Sequence, residues 1–363
     1  MRIYEISGRL AKKGHEIHIY TMNWWNGNDF VKDGIYYHGV CKPKKLYTPD
    51  GRRSISQALY FGSKVLFPLL KEDFDLIDAD HMPYFPCFST KIASVVKGTP
   101  LVITWLEVWD KYWYDYLGLF KGLAGRLIER IVTKFPDEFI TISNATKKGL
   151  TTIGVNESRV EFIPIGININ KIKRIKPSNK RYDALFAGRL IKDKNVDVLI
   201  KSIKLVKKNI PLVSCCIIGD GPEKENLIKL VEDFNLKENI KFIGFLGNAD
   251  IISHMKSSKI FVLPSTREGF GLVILEANAC GSPVVGVNSE NSRCVGELIK
   301  NGENGILLDK LDERVLAHKI SLLLRDDELR RKMSEKGKEI SMGYDWDNLI
   351  NRIEKIYLRM LKK

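Results

Sequence analysis

Short apolar runs alternate with amphipathic stretches along most of the chain. The apolar runs read EIHIYTM, FDLIDAD, PLVITWL, EFITIS, VEFIPI, YDALFAG, VSCCIIGD, IKFIGFL, KIFVLPS and SPVVGV. Apolar runs of this length are typical of buried strands, and helical periodicity fills most of the intervals between them. The alternation therefore predicts an α/β protein in which helices cover parallel sheets.

The alternation lapses between residues 163 and 181. This stretch, IPIGININKIKRIKPSNKR, is rich in Lys and Arg and contains Pro177. We place a domain boundary here, which gives an N-terminal domain over residues 1–166 and a C-terminal domain over residues 167–342. Each half matches the pattern of a Rossmann-like domain, and ligands of such folds bind in a cleft at the carboxyl ends of the strands. Residues 343–363 form a separate amphipathic helix by their periodicity.

The chain opens on a helical pattern. Ile3, Ile6 and Leu10 are spaced by three and four residues, and Gly14 follows them. A Rossmann-like domain ordinarily begins with a strand and a glycine-bearing turn before its first helix. We therefore expect the first strand of the N-terminal domain to be missing, either because the coding sequence starts further upstream or because the domain lacks that strand. The alternative is a fold that begins with a helix.

Composition narrows the class of protein. The chain has 363 residues, of which 44% are hydrophobic, so two domains can each bury a core. The net charge is +14, divided as +4 over residues 1–170 and +10 over residues 171–363. A basic excess suits nucleic acid, anionic lipid or a phosphorylated small molecule. Zinc-finger spacing, RNP-like aromatic motifs and basic heptad helices are absent from the sequence, which argues against nucleic acid.

Cysteine usage and hydropathy indicate the compartment. The six cysteines form no C-x-x-C pair, and several lie in apolar runs, where a thiol behaves as a small hydrophobic group. The sequence shows neither an apolar segment of membrane-spanning length nor a signal peptide. We expect a cytoplasmic protein.

One motif joins a glycine turn to two glutamates. The segment REGFGLVILEANACGSPVV, residues 267–285, follows the strand-like run KIFVLPS. Residues 268–271 read as a tight turn, and the helix after them is predicted to end near Gly281. Glycines let the backbone approach a ligand, and the free amides at a helix start favour an anion. The segment therefore predicts a phosphate-binding turn.

Six segments with functional character occur in a fixed order along the chain. They are KGHEIHIYT, ISNATKKGL with FIPIGIN, AGRLIKDKNVDVLIKSI, IIGDGPEKENL, FIGFL and REGFGLVILEANACGSPVV, of which the last, with its E-x7-E spacing, is the most specific. In these segments and their order, over nearly its whole length, the chain resembles family 4 of the retaining glycosyltransferases. The resemblance implies the GT-B fold, in which two Rossmann-like domains with parallel sheets face a central cleft. It also implies an acceptor-side N-terminal domain, a donor-binding C-terminal domain and a last helix that crosses back to the first domain.

The resemblance implies a role for each matching residue. Glu268 would contact the hydroxyls of the donor sugar and Glu276 the ribose diol, which suits carboxylates because they accept hydrogen bonds. Arg189 and Lys194 would face the diphosphate and stabilise the departing nucleoside diphosphate in place of a metal ion. The other implied donor-binding residues are Gly188, Gly219, Gly221, Pro222, Leu246, Phe270, Gly271 and Leu272. The amides of the last three would meet the distal phosphate.

The implied reaction moves a hexose-type sugar from a nucleotide-diphosphate-sugar donor to a glycan, lipid-linked or small-molecule acceptor. It retains the configuration of the anomeric carbon, needs no metal or other cofactor, and fits cell-envelope glycan biosynthesis. Two alternatives stay open: a nucleotide-sugar epimerase of the same fold, and a catalytically silent nucleotide-sugar-binding protein. The second is motivated by the missing strand and by Leu106, near which many relatives carry a histidine; Glu107 and Trp105 are the candidates to compensate.

The segment from Lys111 to Phe135 combines aromatic residues with an amphipathic helix. Its cations are Lys121, Arg126, Arg130 and Lys134. Such a helix either lies on an anionic membrane, which would place the protein at the inner face of the cell membrane, or packs its apolar face on the sheet of the first domain.

Two further features, an Asp-Ala-Asp motif and the histidines, are expected to have no direct role in catalysis or metal binding. The motif Asp78-Ala79-Asp80 is similar to the D-x-D of metal-dependent glycosyltransferases of another fold class, but it lies away from the nucleotide-binding segments. We expect solvated carboxylates at a strand end. The histidines show no metal-ligand spacing and are expected to be structural or exposed. His81, just after a predicted strand, is the one histidine that we consider a candidate for a functional role.

Overall fold

The computed structural model describes residues 2–25, 27–46, 48, 53–289 and 292–362. The chain divides into two compact units: unit 1 comprises Met1–Pro164 with Asp347–Lys363, and unit 2 comprises Ile165–Trp346. Both units contain parallel sheets flanked by helices, which confirms the α/β class expected from the alternating pattern. Among the residues described, every helix is too short or too polar to cross a membrane.

Unit 1 holds two sheets. Strands β4, β5, β6 and β7 form a parallel sheet in that order, and β3 pairs in parallel with β1 and antiparallel with β2. In chain order the elements are α1 (Arg2–Lys12), β1 (Ile17–Met22), β2 (Phe30–Lys32), β3 (Ile35–Cys41), α2 (Ile55–Lys71), β4 (Ile77–Asp80), α3 (Phe85–Lys97), β5 (Leu101–Trp105), α4 (Tyr112–Leu117), α5 (Leu119–Val132), β6 (Glu138–Thr141), α6 (Asn144–Thr152) and β7 (Val160–Phe162). The helix predicted at the start of the chain is α1.

The sheet of unit 2 has a single parallel arrangement. Its order is β10-β9-β8-β11-β12-β13. The elements are α7 (Ile169–Arg174), β8 (Tyr182–Ala187), α8 (Val196–Lys207), β9 (Cys215–Ile218), α9 (Lys224–Asp233), β10 (Ile240–Gly244), α10 (Asn248–Met255), β11 (Ser258–Leu263), α11 (Leu272–Ala279), β12 (Val284–Val287), α12 (Arg293–Leu298), β13 (Gly305–Leu308), α13 (Glu313–Arg325) and α14 (Asp327–Met342). The chain builds outward from β8 to β10 and then returns to β11, so the order reverses between β8 and β11. Ligands of doubly wound sheets bind at such a reversal.

The last helix, α15 (Trp346–Met360), packs within unit 1. The Arg359 guanidinium lies 3.0 Å from the Glu138 and 3.0 Å from the Glu161 carboxylates. The Tyr357 hydroxyl donates to Asp78 at 2.5 Å, and on α1 the Lys13 ammonium pairs with Glu354 at 2.6 Å. These contacts bind the carboxyl terminus to both α1 and the β4–β7 sheet.

The Asp78-Ala79-Asp80 motif is engaged by protein groups. Asp78 accepts from Tyr357, and Asp80 lies 2.8 Å from the Arg2 guanidinium, which also donates to the Thr104 hydroxyl at 2.6 Å. Burial raises the pKa of Asp80. The described part of the chain contains no group of three or more His, Cys, Asp or Glu side chains able to hold a metal ion.

The aromatic segment after β5 forms two helices rather than one. Gly118, with a φ of +75°, separates α4 from α5. Helix α5 packs its glycine face against α4, since a Cβ on Gly125 would lie 2.5 Å from the Trp113 ring. Four of its apolar side chains point outward, since Leu119, Phe120, Leu123 and Leu127 are between 57% and 87% exposed, whereas Val132 is buried in the core. Of the two alternatives for this helix, packing of the apolar face on the sheet does not hold for these four residues.

A buried carboxylate braces the same region. Glu129 of α5 is fully buried and accepts four hydrogen bonds. The donors are the amides of Trp109 (2.9 Å) and Asp110 (2.8 Å), the Trp113 indole (3.2 Å) and the Tyr84 hydroxyl (2.9 Å). Because both carboxylate oxygens are satisfied, Glu129 fixes the β5–α4 loop at the carboxyl end of the sheet.

Candidate functional site

The predicted site residues all lie in unit 2, most of them in loops that leave the carboxyl ends of its strands, whereas Leu272 and Glu276 lie on α11. Gly188, Arg189 and Lys194 follow β8, the Gly219–Pro222 turn follows β9, and Leu246 follows β10. Residues 264–271, which include Glu268, Phe270 and Gly271, connect β11 to α11. Since β8 and β11 are neighbours at the reversal of strand order, the topology brings the first and last of these loops together.

An ion pair joins the loop after β8 to the loop after β11. The Lys194 ammonium donates to the Glu268 carboxylate at 2.5 Å, and the two side chains are only 17% and 12% exposed. Arg189, at the carboxyl end of β8, is exposed. Lys194 and Glu268 are 74 residues apart in sequence, so their meeting follows from the sheet topology.

Asn195 holds the same loops in place and was not singled out from the sequence. It has a φ of +48°, a conformation that asparagine tolerates better than most residues. Its amide nitrogen donates to the Pro264 carbonyl at 3.1 Å and to the Thr266 hydroxyl at 3.0 Å. The Thr266 amide in turn donates to the Asp193 carbonyl at 3.1 Å. Asn195 could have been identified from the sequence by its position next to Lys194 within AGRLIKDKN.

The glycines of the GDGP turn allow two loops to touch. A Cβ on Gly219 would lie 1.8 Å from the Gly188 carbonyl oxygen, and one on Gly221 would lie 2.4 Å from that of Leu190. Both glycines also have positive φ, of +145° and +158°. Pro222 completes a turn that rests directly on the loop carrying Arg189, so these glycines shape the site through backbone packing.

The start of α11 presents backbone amides at the carboxyl end of β11. Gly271 caps the helix with a φ of +83°, which favours glycine, and Phe270 is buried at 7% exposure beneath the turn. Leu272 is the first helical residue. The amides of a first helical turn have no intrahelical acceptors, and the helix dipole adds positive potential there. This geometry suits a phosphate group.

Glu276 lies inside unit 2 on α11 and is 8% exposed. Burial raises the pKa of its carboxyl group, while a hydrogen bond from Asn248 and the positive charge of Lys171 oppose that rise. The Asn248 amide nitrogen donates to Oε1 of Glu276 at 2.9 Å. Asn248 is a second residue that sequence reasoning missed, because nothing in the local pattern connects positions 28 apart.

The candidates in unit 1 have different surroundings. Trp105 is fully buried and stacks on His81 with ring centroids 4.7 Å apart, so the proposal that Trp105 compensates for Leu106 is wrong. His81 is also fully buried; its Nδ1 accepts from the Leu106 amide at 3.2 Å, and burial lowers its pKa to about 3. Glu107 remains half-buried and accepts from the Trp109 indole at 3.0 Å. Burial therefore favours the neutral form of the His81 imidazole.

A glycine turn, a helix start, two cations and two carboxylates at the reversal of a doubly wound sheet suit a ligand that carries both phosphates and hydroxyls. The model of Glycosyltransferase Family 4 matches residues 1–171, and that of Glycosyl transferases group 1 matches residues 168–340. Together the two models account for nearly the whole chain. The chain belongs to the family 4 glycosyltransferases, and is therefore a transferase.

Individual relatives agree with the family assignment. An uncharacterised glycosyltransferase of Methanocaldococcus jannaschii is 29% identical over 349 residues, which cover 95% of this chain and 90% of that protein. N-acetyl-alpha-D-glucosaminyl L-malate synthase of Bacillus anthracis is 23% identical, covering 99% and 93%. Phosphatidyl-myo-inositol mannosyltransferase of Mycobacterium leprae is 28% identical, covering 81% and 76%.

Solved structures share the fold. Anabaena HepE in complex with UDP-glucose has a TM-score of 0.75 at 20% identity, covering 98% of this chain and 94% of that one. Sucrose-phosphate synthase from Thermosynechococcus elongatus has a TM-score of 0.79 at 17% identity, covering 99% and 92%. The GT-B fold implied by the sequence motifs is confirmed.

Proposed function

We propose that this protein transfers a hexose-type sugar from a nucleotide-diphosphate-sugar donor to an acceptor hydroxyl, with retention at the anomeric carbon and without a metal ion. The observation that carries the proposal is the meeting of Lys194 and Glu268 beside the start of α11. A cation, a carboxylate and the first amides of a helix come together in this part of unit 2. These are the groups that a sugar diphosphate requires.

Each group has a distinct task in the proposed reaction. The amides of Phe270, Gly271 and Leu272 bind the distal phosphate, and Arg189 and Lys194 stabilise the negative charge that grows on the diphosphate as it leaves. The bond between the anomeric carbon and the phosphate oxygen breaks as the acceptor oxygen bonds to the same face of that carbon. The acceptor proton passes to the departing phosphate, so no protein nucleophile is consumed.

The nucleoside and sugar ends are held by the two glutamates. Glu268 accepts hydrogen bonds from the sugar hydroxyls and Glu276 from the ribose diol, because an ionised carboxylate can accept from two neighbouring hydroxyls at once. Leu246 and the Gly219–Pro222 turn line the base pocket, with Gly188 at the diphosphate. In this proposal the loops after β9 and β10 meet the base, the loop after β8 meets the diphosphate, and the segment from Glu268 to Glu276 meets the sugar, the distal phosphate and the ribose.

The names of relatives and of solved structures support a proposal for the donor and acceptor classes. HepE is described with UDP-glucose, so uridine diphosphate sugars are the first donors to test. Two of the relatives are named for transfer to malate and to phosphatidyl-myo-inositol. We propose a lipid-linked or small polar acceptor in cell-envelope glycan biosynthesis.

The test is a transfer assay with a panel of nucleotide-sugars and acceptors, read by nucleoside diphosphate release and by the anomeric configuration of the product in proton NMR. We expect release that depends on acceptor, a retained configuration and full activity in excess EDTA. An inverted product, or activity that EDTA abolishes and a divalent ion restores, would overturn the mechanism. Conversion of the donor to an isomer without acceptor would instead indicate an epimerase.

We further propose that α5 brings unit 1 to an anionic membrane surface. Phe120 is 87% exposed and Leu119 is 71% exposed at the start of the helix, with Lys121 next to them and Lys134 just beyond the other end of the helix. Apolar side chains of this size enter the headgroup region, and each nearby cation adds about 1 kcal/mol of attraction to an anionic surface. Arg126 and Arg130 contribute less, because both pair with Asp110, at 2.6 Å and 3.4 Å.

Sedimentation with vesicles tests this surface. Wild-type protein should pellet with vesicles of phosphatidylglycerol and phosphatidylcholine more than with phosphatidylcholine alone. The double variant Phe120→Ser with Leu123→Ser should lose most of the binding, and Lys121→Glu with Lys134→Glu should lose the preference for anionic lipid. Val315→Ser, which changes an apolar side chain 44% exposed on unit 2, is the control. Unchanged pelleting of both double variants would refute the proposal.

A further inference from the structure

Asn248 connects two loops of the donor site. It is the first residue of α10, two positions after Leu246, and its amide nitrogen donates to Oε1 of Glu276 at 2.9 Å. Glu276 lies in the middle of α11. A single side-chain hydrogen bond therefore joins the segment proposed to meet the base to the carboxylate proposed to meet the ribose.

The hydrogen bond from Asn248 orients the Glu276 carboxylate and leaves its negative charge in place. Glu276 is 8% exposed, and a buried carboxylate is costly unless it accepts hydrogen bonds. An asparagine amide donates without cancelling the charge. With Oε1 occupied, the carboxylate keeps its second oxygen and further lone pairs for hydroxyl donors. Fixing one oxygen also fixes the plane of the group, and thus the direction in which the other oxygen points.

We infer that Asn248 is a positioning residue that aims Glu276 at the two ribose hydroxyls, and that it thereby sets the preference for ribonucleotides over deoxyribonucleotides. The inference rests on the proposed function, since it takes the donor nucleotide to occupy this site. A merely structural role would change stability and weaken every nucleotide alike. A positioning role changes the ratio between nucleotides with and without a ribose hydroxyl.

Isothermal titration with uridine diphosphate and its 2′-deoxy and 3′-deoxy analogues measures that ratio. We expect wild-type protein to bind the ribonucleotide at least tenfold more tightly than either analogue, because a site built for a hydroxyl leaves its own polar groups unpaired when that hydroxyl is missing. Asn248→Leu, which keeps the size and removes the donor, should weaken the ribonucleotide about tenfold and leave the analogues nearly unchanged. The ratio then collapses towards one.

Two further variants complete the design. Glu276→Gln should lose the same preference, and adding Asn248→Leu to it should cause no further loss, as expected of residues that act as one unit. Asp250→Ala, two residues along the exposed side of α10, should bind like wild type. An unchanged ratio in Asn248→Leu, or equal weakening of all three ligands, would overturn the inference. Failure of wild-type protein to bind any nucleoside diphosphate would overturn the proposed function and this inference with it.

Discussion

The ion pair between Lys194 and Glu268 predicts that removing a charge from the site strengthens, rather than weakens, the binding of one ligand. The two groups are 2.5 Å apart and almost shielded from water, so the lysine proposed to bind the diphosphate is already engaged by the glutamate proposed to bind the sugar. An arriving diphosphate competes with that glutamate. Replacing Glu268 with glutamine, which has the same shape and no charge, should therefore strengthen the binding of a nucleoside diphosphate that lacks a sugar.

The size of the effect follows from the loss of one charge. A hydrogen bond to a charged group contributes about 1.5–3 kcal/mol and a neutral one about 0.5–1.5 kcal/mol, so glutamine releases roughly 1 kcal/mol of attraction from Lys194. Since 1.4 kcal/mol corresponds to a tenfold change in affinity, we expect uridine diphosphate to bind about fivefold more tightly to Glu268→Gln. For the nucleotide-sugar the gain is offset by the lost contact with the sugar hydroxyls, so discrimination between the two ligands falls.

Isothermal titration of both ligands into wild type and Glu268→Gln provides the measurement. Lys194→Met should weaken uridine diphosphate, and in that background Glu268→Gln should have no strengthening effect. Glu303→Gln, an exposed glutamate of the same unit, is the matched control. Weaker binding of uridine diphosphate to Glu268→Gln would refute the idea that the carboxylate competes for Lys194.

Three further expectations concern stability and pH. Gly219→Ala should lower the melting temperature by several degrees and abolish stabilisation by nucleotides, because its Cβ would clash with the Gly188 carbonyl. Gly247→Ala should be nearly neutral in the same thermal scan, because φ is negative there and the added Cβ would meet only the Asp250 carboxylate at 3.7 Å, an ordinary contact. Nucleotide affinity should fall as pH is lowered through the raised pKa of Glu276, since the protonated carboxyl group loses acceptor capacity. Titrations across pH should show no such fall in Glu276→Gln. Without nucleotide, that variant should also have a higher melting temperature than wild type at neutral pH, because a buried charge is gone. Glu129→Ala should lower the free energy of unfolding in urea by roughly 3 kcal/mol or more, since it removes the acceptor of two buried and two partly buried donors. A loss under about 1 kcal/mol would contradict the bracing role.

Much of the fold could be predicted because burial is written into local sequence. The ten apolar runs all contain strands, and the glycine turn with its helix is found at Gly271 and α11. The strands that escaped prediction carry weaker signals. β3 reads IYYHGVC with a mixture of half-exposed polar and aromatic residues, and β13 is a four-residue GILL.

Long-range pairings could not be predicted in the same way. The contacts Lys194–Glu268 and Asn248–Glu276 depend on the order of strands in the sheet, which local periodicity does not encode. Periodicity also failed to predict how α5 packs. It identifies an apolar face on this helix, but the helix contacts α4 through its glycine face. Glu129, on the same helix, is a charged residue in an amphipathic pattern and yet is fully buried, because four donors converge on it.

The most direct test of the central claim is thermal stabilisation of the purified protein by a panel of nucleoside diphosphates and their sugars, since a ligand that binds only the native state raises the melting temperature. We expect one nucleotide class to raise it, with the rise lost in Arg189→Ala and in Glu276→Ala. If no nucleotide raises the melting temperature, or if both variants respond like wild type, the donor site is not where the loops of β8 and β11 place it.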